Sequence, residues 1–151
     1  MIQRIQSIFL VLAGLFPAFT LLVPLVNFSN SAQAFTMYGV GFSSAQPVEF
    51  ESSHAGLLVF AFCSLAISFV SIFGYKNRKR QIALVKRGIC ANVLWYVSFA
   101  VYVWYIASRA NTSFSLEFGC LFPFFSILMQ VLAKRYIKRD EDLVKAADRI
   151  R

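Results

Sequence analysis

The sequence predicts an all-α integral membrane protein: a bundle of four transmembrane helices, with a small extracytoplasmic β-hairpin in the first loop and a C-terminal cytoplasmic amphipathic helix. Three observations point there. Hydrophobic residues make up 58% of the 151 positions and charged residues only 15%, which lies outside the soluble range on both counts. The apolar residues gather into four runs, each close to the roughly 20 residues that cross a hydrocarbon core. The 15 lysines and arginines fall almost wholly in alternate connections between those runs. The length suits a single membrane domain, 1–151.

The first span, 5–26, reads IQSIFLVLAGLFPAFTLLVPLV after Arg4. With Ala32-Gln33-Ala34 downstream it shares features with a signal peptide. The run is longer than the roughly 7–15 apolar residues of such a segment, and the A-x-A pattern lies well past its end. It therefore reads as an uncleaved first helix, kinked near Pro17, whose ring removes a backbone hydrogen bond. Residues 27–54 contain Glu49 and Glu51 but no Lys or Arg, the composition of a translocated loop. Within it, 35–42 (FTMYGVGF) and 47–51 (PVEFE) predict two short strands around a Ser/Ala/Gln turn.

The second span, 55–74, is free of charge. Ala61, Ser64, Ser68 and Ser71 recur at small-x-x-x-small spacing, which lets a neighbouring backbone approach; Gly14 and Ala18 of span one offer the matching surface. The connection 75–88 holds six bases, Lys76, Arg78, Lys79, Arg80, Lys86 and Arg87. Its interior, Gln81 to Val85, is apolar enough to continue the next helix below the membrane, with Lys86 and Arg87 at headgroup level. Span three, 89–107, is interrupted only by Asn92 and Ser98. Trp104 and Tyr105 suit an outer aromatic belt, and the deeper Trp95 and Tyr96 require partners for N–H and O–H inside the bundle. An outer turn, 108–113, leads to span four, 114–133, with Glu117 one turn in and Pro123 near its middle. In the tail, 134–151, Tyr136, Leu143, Ala147 and Ile150 share a face with Val144 adjoining, as on an amphipathic helix that lies on a membrane or docks on a partner. Lys138 and Asp142 are spaced for an i,i+4 pair.

One base precedes span one, none lies in the first loop, six lie in the second, one in the third and seven in the tail, of the 15 in all. The positive-inside rule then places both termini and 75–88 in the cytoplasm. The bases, with Lys134 and Arg135 among them, act as topology determinants and as contacts for anionic lipid headgroups. Nucleic acid is not an expected partner, because no basic face has a folded scaffold of its own. Asn27-Phe28-Ser29 and Asn111-Thr112-Ser113 fit the glycosylation triplet and face outward; in a bacterial protein they carry no sugar.

Glu117 is the one acid inside an apolar run, hence the candidate functional intramembrane residue. A position near the outer end also suits pairing with Arg109 or with the N-terminus of its own helix. His54 with Glu49 and Glu51 makes a poor metal set. Cys63, Cys90 and Cys120 read as small packing residues, of which only Cys63 and Cys120 share the outer half. No nucleophile–base–acid set, phosphate cradle or cofactor motif is present. No catalytic, metal or cofactor residue is assigned, and no enzymatic activity is expected. Leu143, Val144, Ala147 and Ile150 are the candidate partner-docking face.

The opening MIQRIQSIFL and the ending DEDLVKAADRIR together resemble a family of small four-helix membrane proteins from Bacteroidota, domain of unknown function 4293. The resemblance spans the whole chain and implies a bacterial inner-membrane location, but transfers no site residue. The two end motifs suggest contact between Gln3, Arg4 or Gln6 and the tail residues Asp148 and Arg149. The function expected is that of a structural or accessory subunit of a cell-envelope complex, working through a membrane-protein partner or as a homo-oligomer. The alternative is a small oligomeric transporter or channel.

Overall fold

A computed structural model of the chain describes residues 2–30, 34–44, 55–74 and 77–149. Four helices, each long and apolar enough to cross a membrane, carry a small antiparallel sheet at one end.

Helix α1 (Ile2–Leu22) runs through Pro17 without interruption. It stops short of residue 26 because Pro24 lacks an N–H and disfavours the helical conformation at Val23. The chain turns at once into strand β1 (Pro24–Ser29), so the last residues of the expected first span are sheet. Strands β2 (Ala34–Tyr38) and β3 (Phe42–Ser44) follow. The expected strand over 35–42 is thus itself a hairpin: Tyr38 N–H donates to Gly41 O at 2.7 Å, and the turn folds at Gly39. There a Cβ would stand 2.7 Å from the Thr20 carbonyl oxygen at the end of α1, a fit that only glycine allows. Residues 47–51, expected as the partner strand, lie outside the described residues.

Helix α2 spans Ala55–Phe73 and helix α3 Arg78–Ala110. The segment expected as a basic loop over 75–88 is therefore helical from Arg78. Asn77 caps it, its side-chain oxygen accepting from Arg80 N–H at 3.2 Å. No Gly or Pro interrupts 78–87, so nothing separates this stretch from the apolar run beyond it. At 33 residues α3 is about 50 Å long, well beyond a hydrocarbon core of about 30 Å. It ends at Asn111, whose left-handed backbone (φ 51°, ψ 42°) closes the helix by donating to Ala107 O, a role Asn fills readily.

Strand β4 (Ser113–Leu116) and a 3₁₀ turn (Phe118–Leu121) come next, then helix α4 (Phe122–Arg149). The expected fourth span, 114–133, begins eight residues late for this reason. Pro123 sits in the first turn of α4, where a missing N–H costs nothing, and not in mid-span. The tail is no separate helix: α4 continues unbroken to Arg149.

The helices form a closed ring in which α1 packs on α2 and α4, and α3 on α2 and α4. The sheet order is β3-β2-β1-β4. Val26, Phe28, Phe35 and Met37 on its inner face join Leu57, Trp95, Phe99, Val103 and Ile106 in one buried cluster. A second, smaller cluster of Leu10, Val85, Ala133 and Ile137 closes the opposite, basic end.

Candidate functional site

Pro17 cannot donate to the carbonyl of Ala13, four residues earlier, so α1 carries an orphan acceptor in its apolar middle. Helix α4 supplies the missing donor: Ser126 Oγ–H reaches Ala13 O at 2.7 Å, fully buried. From Ser126 a polar junction spreads across the bundle. Asn92 of α3 directs its amide at Ser126 Oγ (3.1 Å), Gln130 Oε1 (3.3 Å) and its own helix's Gly88 O (3.3 Å). Gln130 passes the chain on, its Nε2 donating to Ser68 Oγ on α2 at 3.1 Å. Asn92, Ser126, Gln130 and Ser68 are each 2% exposed or less. All four helices meet here through uncharged groups. Gly88 makes room, since a Cβ there would stand 2.7 Å from Gln130 Nε2.

Further buried polar groups line up toward the basic end. Gln81 Nε2 donates to Ser71 O at 2.9 Å and Gln6 Nε2 to Tyr136 O at 3.3 Å, while Ser71 Oγ–H back-bonds to Ile67 O. Chemically, amides and hydroxyls at this depth exchange no protons near neutral pH. What they do is fix helix register, because a slipped helix would leave them unpaired in an apolar interior. Three buried polar atoms lack a partner among the described residues: Ser64 Oγ and Trp95 Nε1 within the bundle, and Thr112 Oγ1 beyond the end of α3. Trp95, expected to find a hydrogen bond, is instead stacked on Phe99 (5.1 Å, 12°) with Tyr96 edge-on (5.3 Å, 87°). Tyr96 does find one, donating to Cys120 O at 2.7 Å.

The small-residue stripe Ala61, Ser64, Ser68, Ser71 is the buried face of α2, and Ser68 and Phe69 lie in van der Waals reach of a Cβ at Gly14. Of the junction's side chains, Ser68 belonged to that stripe and Asn92 stood out only as an interruption. Ser126 and Gln130 went unread, although a Ser-x-x-x-Gln pair inside an apolar run is itself a sign of interhelical hydrogen bonding.

Glu117 is not inside a helix. It follows β4 in strand alternation, so its side chain lies on the sheet face of Ser113 and Ser115, away from the core. There it accepts from Asn27 Nδ2 at 2.6 Å, and Asn27 Oδ1 accepts from Thr36 Oγ1 at 2.6 Å. Its N–H bonds Leu25 O at 2.9 Å, locking β4 to β1. Arg109, the expected partner, lies over the Tyr105 ring at 5.5 Å instead. Glu117 is thus a half-buried link in a sheet hydrogen-bond chain.

At the basic end, Arg78 of α3 pairs with Asp140 of α4 at 2.8 Å. The i,i+4 pairing in the tail is that of Lys145 with Glu141 at 2.7 Å, in place of Lys138 with Asp142. The Lys145 hydrogen bond holds the Glu141 carboxyl below the usual carboxylate range. Lys79, Arg80, Lys86, Arg87 and Arg135 are exposed and Lys134 is half-buried. Leu143 and Val144 are exposed (51% and 40%), whereas Ala147, Ile150 and Lys76 fall outside the described side chains, as do Gln3, Arg4, Asp148 and Arg149. Among the described residues no group of three or more metal-ligating side chains forms, and the cysteines are free thiols. His54, Glu49 and Glu51 lie outside the described residues.

The chain belongs to the family described as a domain of unknown function (DUF4293), which matches residues 2–150. No curated protein matches it.

Proposed function

We propose that this member of the family is a multi-pass protein of the bacterial inner membrane, with both termini and the basic end in the cytoplasm. In this reading it acts without enzymatic chemistry, as a structural or accessory subunit of a cell-envelope complex. The observation that carries it is the makeup of the interior: the buried polar side chains are uncharged, and most of them make hydrogen bonds between helices, to one another or to a backbone carbonyl. Such an interior holds helices together and leaves recognition to the surfaces at either end. At the cytoplasmic end α4 continues past the Arg78–Asp140 pair to Arg149 as a single-helix stem that presents Leu143 and Val144 beside a basic collar. The collar suits anionic headgroups, and the stem suits a protein partner. Purification under native conditions in mild detergent, followed by mass spectrometry, tests this: one or more other membrane proteins should accompany the chain in fixed ratio. Recovery of the chain alone or only with copies of itself would count against the proposal.

A specific feature favours a second reading, that of a small oligomeric transporter or channel. Gln6, Gln81, Ser68, Gln130 and Asn92 are uncharged polar side chains buried between the basic end and the middle of an otherwise apolar bundle. Flux through proteoliposomes holding this protein alone, abolished by Asn92→Leu with Gln130→Leu, would establish it in place of the first.

A further inference from the structure

We infer that strand β4 rests on the outer leaflet of the membrane, its Phe114 and Leu116 side chains reaching below the headgroups while its backbone stays among them. The inference rests on the membrane reading above. It starts from a mismatch between register and burial. Phe114 stands opposite Phe28 and Leu116 opposite Val26, and cross-strand partners share a face of the sheet. Phe28 and Val26 are 1% and 0% exposed; Phe114 and Leu116 are 52% and 59% exposed. The apolar face of the sheet therefore runs one strand past the bundle that covers the rest of it.

The opposite face of β4 is built for water. Ser113 and Ser115 alternate with the two apolar residues, and their hydroxyls bond Ser29 O and Asn27 O. Nor is the overhang an isolated patch. Phe118, which is 79% exposed, continues it onto the apolar outer surface of α4. Helix α3, which packs on β4, presents Trp104 near its end at 71% exposure, a residue that marks the membrane–water boundary. What covers the face is settled by this continuity: the same lipid that surrounds the spans.

The backbone sets the depth. Glu117 N–H donates to Leu25 O, which makes Asn27 with Ser115 and Ser29 with Ser113 the hydrogen-bonded pairs of the β1–β4 ladder. The N–H and C=O groups of Phe114 and Leu116 then point to the free edge. β4 is the last strand of the sheet, and open edges are not tolerated in hydrocarbon. Headgroup phosphates and water satisfy that edge, and only the side chains pass beneath.

Spin labels on single cysteines test this, placed at 113, 114, 115 and 116 and at a control on the exposed apolar surface of α3, Val101, in the full chain with Cys63, Cys90 and Cys120 replaced by alanine. The chain is reconstituted in vesicles of phosphatidylethanolamine and phosphatidylglycerol, with circular dichroism confirming native helicity for each variant. Collision with oxygen should exceed collision with a water-soluble nickel chelate severalfold at 114, 116 and 101, and the ratio should invert at 113 and 115. Nickel accessibility at all four strand positions, with 101 still in lipid, overturns the inference alone. So does shielding of 114 and 116 from both agents, the sign of a second copy or another protein on the strand. Loss of the lipid signal at 101 as well overturns the membrane reading together with it. Unlabelled Phe114→Trp in a chain with Trp95 and Trp104 replaced by phenylalanine, read by quenching with brominated lipid against Ser113→Trp in the same background, gives the same alternation if a labelled variant fails to fold.

Discussion

Ser126 and Pro17 stand 109 positions apart: the proline is visible in the sequence as a break in the hydrogen bonding of its helix, the serine only in the structure as its remedy. Removing Ser126 Oγ leaves the Ala13 carbonyl unpaired in an apolar interior, at a cost of about 1–3 kcal/mol. Ser126→Ala should therefore lower the thermal midpoint in detergent micelles. In a Pro17→Ala background, where residue 17 regains an N–H for Ala13, the same change should cost about 1 kcal/mol less. Equal losses in the two backgrounds would remove the link. Gly88→Ala pushes on Gln130 Nε2 and should weaken the Ser68 and Asn92 bonds together, by about 1–2 kcal/mol for the crowding. Leucine at Gln130 with Gly88 retained should separate the loss of hydrogen bonds from the crowding. At Glu117, glutamine keeps an oxygen to accept from Asn27, whereas alanine does not. Glu117→Gln should stay within about 1 kcal/mol of wild type and Glu117→Ala should fall further. A pH-dependent transport phenotype of Glu117→Gln would contradict the role given to it here.

Which elements were legible follows from how far each one's local pattern stood apart from its neighbours. α2 is bounded by polar connections on both sides, and its limits and buried stripe could be read directly. β1 and β4 could not, because Pro24–Val26 and Phe114–Leu116 are as apolar as the helices they adjoin. Their strand character comes from pairing with each other, a contact between segments about ninety residues apart. α3 concealed only its first turn: the apolar interior Gln81 to Val85 reads as a continuation of the helix, as it is, whereas the basic residues 78–80 before it look like loop when only charge is counted. The junction between β1 and the 3₁₀ turn is equally invisible in sequence. Gly119 packs so closely on the Pro24 carbonyl that a Cβ there would collide with it. Gly119→Ala must shift backbone, and should cost about 1–3 kcal/mol and loosen β4 first, seen as faster amide exchange at Ser115 than in wild type.

At the scale of the whole molecule, the chain divides into a sheet end, an apolar middle pinned by one uncharged junction, and a basic end where α4 projects as a stem. That division explains why composition could indicate a membrane protein while the interior stayed unread. Apolar content reports the exposed apolar surface of four helices long enough to span a membrane, and the few amides and hydroxyls inside weigh little in any average. In the proposed topology the sheet and the stem lie on opposite sides of a membrane. The most direct test labels single cysteines at Ser115 and Lys138, in the alanine background for the native cysteines, with a membrane-impermeant maleimide on intact spheroplasts and after permeabilisation. Position 115 should label from outside and position 138 only once the membrane is opened. Labelling of both from the same side, or of 138 from outside alone, would contradict this topology.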